Sequence, residues 1–394
     1  RSFIKLAGLG VGAGILGLQQ ISCNTSKSTT KVPAIAGFDD LGTKKEISKI
    51  WVPVSDRKIR VGIVGYGVCK FGAQFGFQNH PNVEVAAVSD LFPDRCAELA
   101  KVTNCKKTYP SLEELVKDDS IEAVFVATDA PSHFKHCIEV LKHGKHVACA
   151  VPAVYGSLED AERLFEVVRQ SGLKYMMFET SMFRENLYAM RQIYKAGGFG
   201  KVVYTEGEYW HYEELGKPGI GSYNNWRYGC PQQWYPTHSD AYYVGVTDGS
   251  FLEVSCLGIK SDREAYQPGK NVYNNPFATE ISFYRTSEGG MARMGRSADT
   301  PGSGYTGQPN ETGRLRGIRG SYYDKYVGLE TNLPDVTRPA LPPGMPAGGH
   351  GGSHGHLTEE FVRAILEDRD PLVNIAMSLN MTVGGIVAHQ SALK

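Results

Sequence analysis

The sequence predicts an α/β protein whose N-terminal part is built on a doubly wound parallel sheet. Short apolar runs alternate with helix-compatible segments from about residue 60 to residue 150. Such alternation is typical of parallel strands joined by right-handed helical crossovers. The first apolar run ends in two glycines, Gly65 and Gly67, and the second ends in an acidic residue, Asp90. Because the carboxyl ends of parallel strands share one edge of the sheet, these residues are expected to lie together.

The composition is that of a globular protein with large cores, since 41% of its 394 residues are hydrophobic and 21% are charged. This length is typical of two or three domains. Lys plus Arg and Asp plus Glu number 42 each, so the formal net charge is zero. That balance argues against a nucleic-acid partner, which would require a basic excess. None of the eight cysteines belongs to a Cys-x-x-Cys pair, and we expect no metal site.

The first 23 residues have the order of an export signal. A basic start, Arg1 to Lys5, is followed by an uncharged stretch to Ile21 and then by Cys23. The start resembles the second half of a twin-arginine motif, and Ser22-Cys23 resembles a lipoprotein cleavage and acylation site. The alternative is a buried N-terminal helix. We expect a protein exported in its folded state to the periplasm, with membrane contact only through a lipid anchor, and a tether over residues 24–56.

Four apolar runs predict strands of the N-terminal sheet. They start at Arg60, Val83, Glu122 and His146, and helix-compatible segments separate them. The runs are mostly apolar, as expected for strands that are covered on both faces.

The turn after the first strand has the residues that a dinucleotide site needs. Gly65 allows a tight turn, and Gly67 lets the backbone approach a pyrophosphate, with Tyr66 between them. A helix-compatible stretch follows as far as Phe77 and would offer free N–H groups to the phosphates. Asp90 lies 25 residues after Gly65, close to where a carboxylate binds the ribose 2′-hydroxyl. Because a carboxylate repels a 2′-phosphate, NAD is favoured over NADP.

This glycine pattern departs from G-x-G-x-x-G at its third position. Lys70 stands where a glycine or alanine is usual, and Gly72 follows two residues later. The alternative interpretation is an α/β core that is punctuated by glycines and binds no nucleotide.

Two segments further along resemble the glucose–fructose oxidoreductase / inositol dehydrogenase (Gfo/Idh/MocA) family. They are Thr128-Asp-Ala-Pro-Ser-His133 and Gly144-Lys-His-Val-Ala-Cys-Ala-Val-Pro152. The resemblance implies a Rossmann domain over residues 57–180 and an α+β domain over residues 181–394. The second domain would carry an open-faced mixed sheet that usually forms oligomers, and its C-terminal helices would pack back on the first. The resemblance also implies that NAD contacts Thr128, His133, Val151 and Pro152.

One departure from the family changes the expected chemistry. Val151 stands where the family usually has a lysine that helps the substrate hydroxyl lose its proton. Val151-Pro-Ala153 instead resembles a branch of NAD-dependent α-N-acetylgalactosaminidases, which oxidise C3, eliminate across C1–C2, add water and return the hydride. Ala150 and Phe183 replace a glutamate and a tyrosine of that branch.

The same branch is similar in several polar and aromatic segments that supply candidate site residues. For catalysis these are His238, Tyr235, His211 and Tyr209, and for substrate binding they are Trp226, Arg227, Asp240 and His350. A histidine can accept the hydroxyl proton as the hydride leaves the same carbon, so we expect His238 to be the base. Each of these residues also has a purely structural alternative. His238 could lie in a loop and bond to the backbone, Tyr209 and His211 could cap the open sheet, and Trp226 and Arg227 could form a surface turn.

The glycine-rich segment around His350 has two interpretations. Three histidines lie within seven positions, His350, His354 and His356, which is suggestive of a metal site. A glycine loop that brings His350 to the substrate, ahead of a helix starting near Leu357, is the preferred interpretation, because so many glycines make a loose ligand set.

Three functions are consistent with these observations. The first is an oxidoreductase that transfers a hydride from a secondary hydroxyl of a sugar or glycoside to a tightly bound NAD. The second is a redox-neutral glycoside hydrolase that uses the same chemistry. The third is a catalytically silent lipoprotein that binds NAD or sugar.

Overall fold

The computed structural model describes residues 50–212, 222–301 and 309–394. The predicted export signal (1–23) and the predicted tether as far as residue 49 lie outside the described residues. Within the described ranges, helices that combine the length and the apolar character needed to cross a membrane are absent.

The N-terminal domain is a six-stranded parallel sheet with the strand order β3-β2-β1-β4-β5-β6. Its strands are β1 (Ile59–Val64), β2 (Val83–Ser89), β3 (Thr108–Tyr109), β4 (Ala123–Val126), β5 (His146–Cys149) and β6 (Tyr175–Met177). Its helices are α1 (Phe71–Gln74), α2 (Pro93–Val102), α3 (Leu112–Leu115), α4 (His133–Lys142) and α5 (Leu158–Ser171). Single 3₁₀ turns occur at Phe77–Asn79 and Ala130–Ser132.

The sequence explains this domain through continuous apolar runs and well-marked helix ends. Every residue of β4 is buried, as is required when helices cover both faces of a sheet. Helix α5 begins where the Ser157 side chain accepts a hydrogen bond from the Asp160 N–H at 3.0 Å. It ends at Gly172, whose φ of 65° is left-handed and stops the helix.

The second domain is a seven-stranded mixed sheet with the order β13-β12-β11-β7-β10-β9-β8, in which β7 and β10 are parallel. Its strands are β7 (Val202–Trp210), β8 (Phe251–Lys260), β9 (Phe277–Thr286), β10 (Met291–Ser297), β11 (Glu311–Gly317), β12 (Gly320–Tyr322) and β13 (Tyr326–Gly328). Its helices are α6 (Glu185–Lys195), α7 (Thr237–Thr247), α8 (Gly349–Leu366) and α9 (Ile375–Ala392). The 3₁₀ turns are Thr180–Phe183, Tyr223–Asn225, Gln232–Trp234 and Glu264–Tyr266.

One face of this mixed sheet is covered by the buried helix α7. Gly207 of β7 and Gly313 of β11 are paired across the sheet, and a Cβ on either would collide with α7, at Ser239 and Tyr242 respectively. Glycine at these two positions therefore lets the helix lie directly on the strands, which fixes the height of α7 above the sheet.

The opposite face of the mixed sheet is open. It exposes large apolar side chains on neighbouring strands, namely Leu257, Ile259, Phe283 and Met291. The predicted fold class, a Rossmann domain followed by an α+β domain with an open-faced mixed sheet, is confirmed. The domain boundaries stay a prediction. The domains meet where the Met177 N–H of β6 donates to the Val373 carbonyl, just before α9, at 3.1 Å.

The helix after the glycine turn is shorter than the sequence predicts. We expected helical structure as far as Phe77, but α1 covers only Phe71–Gln74. Lys70 before it (φ 50°) and Gly76 after it (φ 77°) are both left-handed, and this conformation interrupts a right-handed helix. A single turn has little macrodipole, so the phosphates of a cofactor would depend on the amides of the turn itself.

Candidate active site

A cleft of about 1060 Å³ runs between the glycine turn of the N-terminal domain and a loop of the second domain. The predicted site residues in its wall are Gly65, Gly67, Asp90, Thr128, His133, Val151, Trp226, Arg227 and Tyr235. A single cleft thus joins the predicted dinucleotide residues to part of the predicted substrate residues.

The glycine turn is shaped for close approach of a ligand. Gly65 has a φ of 104°, and a Cβ there would collide with the backbone of Ala127. A Cβ on Gly67 would meet no atom within 4 Å, so at this position the backbone faces open space in the cleft. Gly72 takes over the packing role of the missing third glycine, because its Cβ would lie 2.5 Å from the Gly65 carbonyl oxygen.

Asp90 is held at the cleft by two backbone amides. Its carboxylate accepts hydrogen bonds from the Tyr66 N–H at 2.7 Å and from the Phe92 N–H at 2.9 Å. Tyr66 therefore contributes its amide, and its side chain does not line the cleft. Each carboxylate oxygen can accept a further hydrogen bond, so Asp90 can accept hydrogen bonds from the ribose hydroxyl groups. Together with the open backbone at Gly67, this arrangement fits a dinucleotide.

Replacing Asp90 with alanine is expected to weaken NAD binding about tenfold to a hundredfold, the scale of one lost charge-assisted hydrogen bond. Isothermal titration calorimetry of the variant measures this change. Asp94→Ala is the control, because Asp94 is a nearby acidic residue of α2 that does not line the cleft. Unchanged NAD affinity in Asp90→Ala, or tight binding of NADP to the wild type, would refute this role.

His133 supports the cleft wall through two carbonyl groups. Its Nδ1 lies 2.7 Å from the Pro152 carbonyl oxygen, and its Nε2 lies 3.2 Å from that of Thr128. With both nitrogens engaged, His133 connects the segments after β4 and β5, and the Thr128 hydroxyl bonds to His136 Nδ1 at 2.8 Å. Pro152 does not line the cleft, whereas the buried Val151 does.

Around Tyr235, the second domain gathers the predicted catalytic residues into one aromatic cluster. The ring centroid of His238 lies 5.6 Å from that of Tyr235 and 4.5 Å from that of Tyr209. The Tyr209 and His211 rings are 5.5 Å apart. Tyr235 itself lines the cleft, and the others lie behind or beside it. Burial raises the pKa of Tyr235 to about 12 despite the nearby Arg227 guanidinium, so its hydroxyl is protonated at neutral pH.

His238 is oriented by a buried carboxylate that the sequence analysis did not identify. Its Nδ1 lies 2.7 Å from Glu179 Oε1 and 3.4 Å from the Thr180 hydroxyl. Its Nε2 makes no hydrogen bond within the described part of the chain. Burial lowers the pKa of His238, but the negative charges of Glu179 and Glu311 outweigh burial and raise it overall. The ring is thus fixed with one nitrogen on Glu179 and the other available.

A second carboxylate, Glu311, completes the surroundings of His238. Its two oxygens accept hydrogen bonds from Arg184 at 2.8 and 2.6 Å, and it also contacts the Ser181 hydroxyl. Glu179, His238 and Glu311 offer ligand atoms within 4.8 Å of one another. Because Arg184 already neutralises Glu311 and Glu179 bonds directly to the imidazole, we interpret the group as a hydrogen-bonded network that holds His238.

His350 approaches His238 from the other side, on the glycine-rich segment. The two rings stack with centroids 6.3 Å apart. His350, Gly351 and Gly352 have φ values of 50°, 68° and 82°, so the first turn of α8 is left-handed. The right-handed part of α8 therefore begins at about Ser353, four residues before the expected start near Leu357.

The other two histidines of this segment have different neighbours. The His354 ring stacks on Phe75 at 4.2 Å and its Nε2 lies 2.8 Å from His350 Nδ1, whereas the His356 ring stacks on Phe183 at 5.5 Å. The three imidazoles thus have different partners, and His350 does not line the cleft. The interpretation that the glycine loop brings His350 to the substrate stays a prediction.

Asp240 is placed away from the cleft, which corrects the expectation that it binds substrate. It is fully buried on α7, and burial raises its pKa well above the usual range. It contributes nothing to the cleft wall. Asp240 is thus recessed from the cleft on the buried helix α7.

Trp226 and Arg227 lie in the cleft wall beside Tyr235. The Arg227 guanidinium lies 4.3 Å from the Trp226 ring centroid and 5.3 Å from that of Tyr235. Arg296, which is buried and was not predicted, lies 5.1 Å from the Tyr235 ring on the second domain. An aromatic surface edged by guanidinium groups suits a polar ring such as a sugar.

The sequence analysis did not identify Glu179 or Glu311, and only the first of them has a sequence pattern that could have indicated it. Glu179 follows the apolar run of β6 in the way that Asp90 follows β2, so a carboxylate at a strand end could have identified it. Glu311 carries no such signal, since it reaches the site only through its pairing with Tyr209 across the mixed sheet.

Comparisons with known proteins agree with this geometry. Residues 59–179 match the oxidoreductase family with an NAD-binding Rossmann fold, GFO_IDH_MocA. Over 209 residues, 50% of this chain, the sequence is 29% identical to glycosyl hydrolase family 109 protein 1 of Bacteroides fragilis, of which the match covers 44%. It is 26% identical over 356 residues to a glycosyl hydrolase family 109 protein of Streptomyces filamentosus, covering 83% of this chain and 71% of that protein.

A solved structure of levoglucosan dehydrogenase, in complex with NADH and levoglucosan, has the same fold. The TM-score is 0.65 at 15% identity, with 86% of this chain and 98% of the other covered. The chain spans less than half the length of the Bacteroides relative. By this match and by its cleft, the domain over residues 59–179 is an NAD-binding Rossmann domain similar to those of the Gfo/Idh/MocA oxidoreductases.

Proposed function

We propose that this protein is an NAD-dependent oxidoreductase that acts on a secondary hydroxyl of a sugar or glycoside. The observation that carries the proposal is the single cleft, which leads from Gly67 and Asp90 to Trp226 and Tyr235. A cofactor bound by its ribose at Asp90 would extend towards the aromatic cluster, where a sugar ring has a surface to stack on.

The residues of the chain have distinct roles in this proposal. Bound NAD supplies the hydride acceptor. Trp226 and Tyr235 orient the sugar ring, and Val151 closes the wall with an apolar group that neither donates nor accepts a proton. His238, fixed at Nδ1 by Glu179, takes the hydroxyl proton at Nε2, either directly or through the Tyr235 hydroxyl.

Single-turnover absorbance tests the function. Purified protein loaded with NAD is mixed with a panel of sugars and glycosides, and the formation of NADH is followed. We expect rapid formation of one equivalent of NADH with at least one sugar. Mass spectrometry of the molecules released by heat tests whether NAD co-purifies, which we expect of a tightly bound cofactor. A protein that reduces no NAD with any sugar would contradict the oxidoreductase proposal.

A redox-neutral glycoside hydrolase is the second candidate. It is favoured by the family 109 relatives and by Val151-Pro-Ala153, where a dehydrogenase of the family would have a lysine. Release of the aglycone from a chromogenic α-N-acetylgalactosaminide without net NADH would support it. Sugar or NAD binding without turnover would instead support a silent binding protein. Export and a lipid anchor remain proposals that rest on residues 1–23.

We also propose that the open sheet forms a homo-oligomer. Its support is the row of exposed apolar side chains that includes Leu257, Ile259 and Phe283. Replacing Leu257 with aspartate is expected to shift the protein to a smaller species in light scattering coupled to size-exclusion chromatography. The control is Val272→Asp, at an exposed valine outside the sheet. A monomeric wild type would overturn this expectation.

A further inference from the structure

We propose that the substrate carries an anionic group, a carboxylate or a sulfate, and that Arg227 binds it. This inference rests on the proposed function, because it concerns the sugar end of the same cleft. It narrows the substrate class from sugars in general to acidic sugars.

The placement of Arg227 is the first support. Its guanidinium lies against the faces of Trp226 and Tyr235, and all three residues line the cleft. A guanidinium that stacks on ring faces still directs N–H groups outward in its own plane. Those groups have the fork geometry that matches the two oxygens of a carboxylate or sulfate.

The charges around the site are the second support. Among residues 50–212, 222–301 and 309–394, no carboxylate forms an ion pair with Arg227. By contrast, Lys70 in the cleft wall lies 2.8 Å from Glu98, and Arg184 near His238 bonds to Glu311. Within the described part of the chain, Arg227 therefore lies in the cleft wall without an ion pair, and an anion from the ligand would balance its charge.

The neighbouring His211 responds to this positive field. Burial is the larger cause that lowers the pKa of His211, and the guanidinium groups of Arg227 and Arg296 add to it. Together they bring this pKa to about 3. At neutral pH His211 is therefore uncharged. The contribution of the two guanidinium groups shows that the positive field of Arg227 reaches the residues beside the aromatic cluster.

The loop that carries Arg227 is held in place before any ligand arrives. The Tyr273 hydroxyl donates to the Trp226 carbonyl at 2.7 Å. The side-chain amide of the buried Asn275 donates to the carbonyls of Gly229 at 3.2 Å and Cys230 at 3.1 Å. Because the loop is already ordered, binding an anion here requires little further loss of entropy.

The test uses matched sugars that differ only at C6. Calorimetry on the NAD-loaded protein compares a methyl hexopyranoside, the corresponding uronate and the corresponding 6-sulfate, in the gluco, galacto and manno series. In at least one series we expect an acidic sugar to bind ten- to a hundredfold more tightly than its neutral parent. The uronate and sulfate arms show which anion is preferred.

Arg227→Gln should remove this preference, so that its loss of affinity for the acidic sugar exceeds its loss for the neutral sugar by about tenfold or more. Arg314→Gln is the matched control, because Arg314 is a half-exposed arginine of β11 outside the cleft. Equal losses for acidic and neutral sugars, or no preference in the wild type, would overturn the inference. A parallel loss of NAD affinity would assign Arg227 to the cofactor diphosphate and would also overturn it.

These readouts separate the inference from the proposed function. Binding of acidic sugars decides the role of Arg227, whereas formation of NADH decides whether the protein is an oxidoreductase. If the protein binds uronates through Arg227 but does not reduce NAD, the inference about Arg227 is supported and the proposed oxidoreductase function is contradicted.

Discussion

Replacing His238 with alanine is expected to slow the reduction of bound NAD by sugar about 10²- to 10⁴-fold, the usual cost of losing a general base. NAD affinity should stay nearly the same, because His238 lies in the aromatic cluster and not in the wall that holds the dinucleotide. Single-turnover absorbance is the appropriate measurement, since it separates the chemical step from product release.

A matched control exists elsewhere in the second domain. His389 is also buried, and its Nδ1 lies 2.7 Å from the carboxylate of Glu280. His389→Ala removes a histidine of the same kind without touching the cleft, and we expect it to affect stability only. If His238→Ala reduces NAD within threefold of the wild-type rate, His238 is not the base.

Tyr235→Phe identifies the route of the proton. Tyr235 lies between the cleft and His238. A loss as large as that of His238→Ala would indicate that the proton passes through the Tyr235 hydroxyl. A loss below tenfold would indicate that His238 reaches the substrate directly.

The N-terminal domain was predictable because its signals are local. Apolar runs mark the strands, and the distance from Gly65 to Asp90 reflects a strand–helix–strand unit of standard size. The replacement of the third glycine by Lys70 was not interpretable from sequence. Only the structure shows that Gly72 makes the close contact with the Gly65 carbonyl.

The site in the second domain was predictable only as a set of residue types. The resemblance to a family branch pointed to Tyr209, Tyr235 and His238, and the structure brings these rings together. It could not indicate which atoms pair, because Glu179 comes from the other domain and Glu311 from a strand far along the chain.

The mistake at Asp240 has a geometric cause. Read as a loop, the segment from Tyr235 to Asp240 could turn every polar side chain towards a ligand. In helix α7, which begins at Thr237, residues two positions apart point about 200° from one another. His238 therefore faces the aromatic cluster while Asp240 faces the interior.

Glu179 is expected to act as a positioning residue for His238, and Glu179→Gln should lower the rate of NAD reduction about 10²- to 10³-fold. The carboxylate fixes the tautomer in which Nδ1 carries the proton and Nε2 is free to accept one. Glutamine can present its amide N–H to Nδ1 instead, which would place the proton on Nε2 and block the base.

The pH profile distinguishes this role from a loss of packing. The charge of Glu179 raises the pKa of His238, and the base is the neutral imidazole, so the rate should rise with pH through that raised pKa. Without the charge the pKa falls, and the rising limb should move to lower pH. Glu179→Asp, which retains the charge, should keep the limb in place and recover part of the rate.

Glu280→Gln, in the buried pair with His389, is the control and should leave both the rate and the profile unchanged. A profile that does not move in Glu179→Gln, whatever the rate, would show that Glu179 does not tune His238. If the profile moves and Glu179→Asp restores it, the buried carboxylate sets the protonation of the histidine. In that case Glu179 would compensate in part for the lysine that Val151 replaces, because its charge sets the pKa of the base, His238.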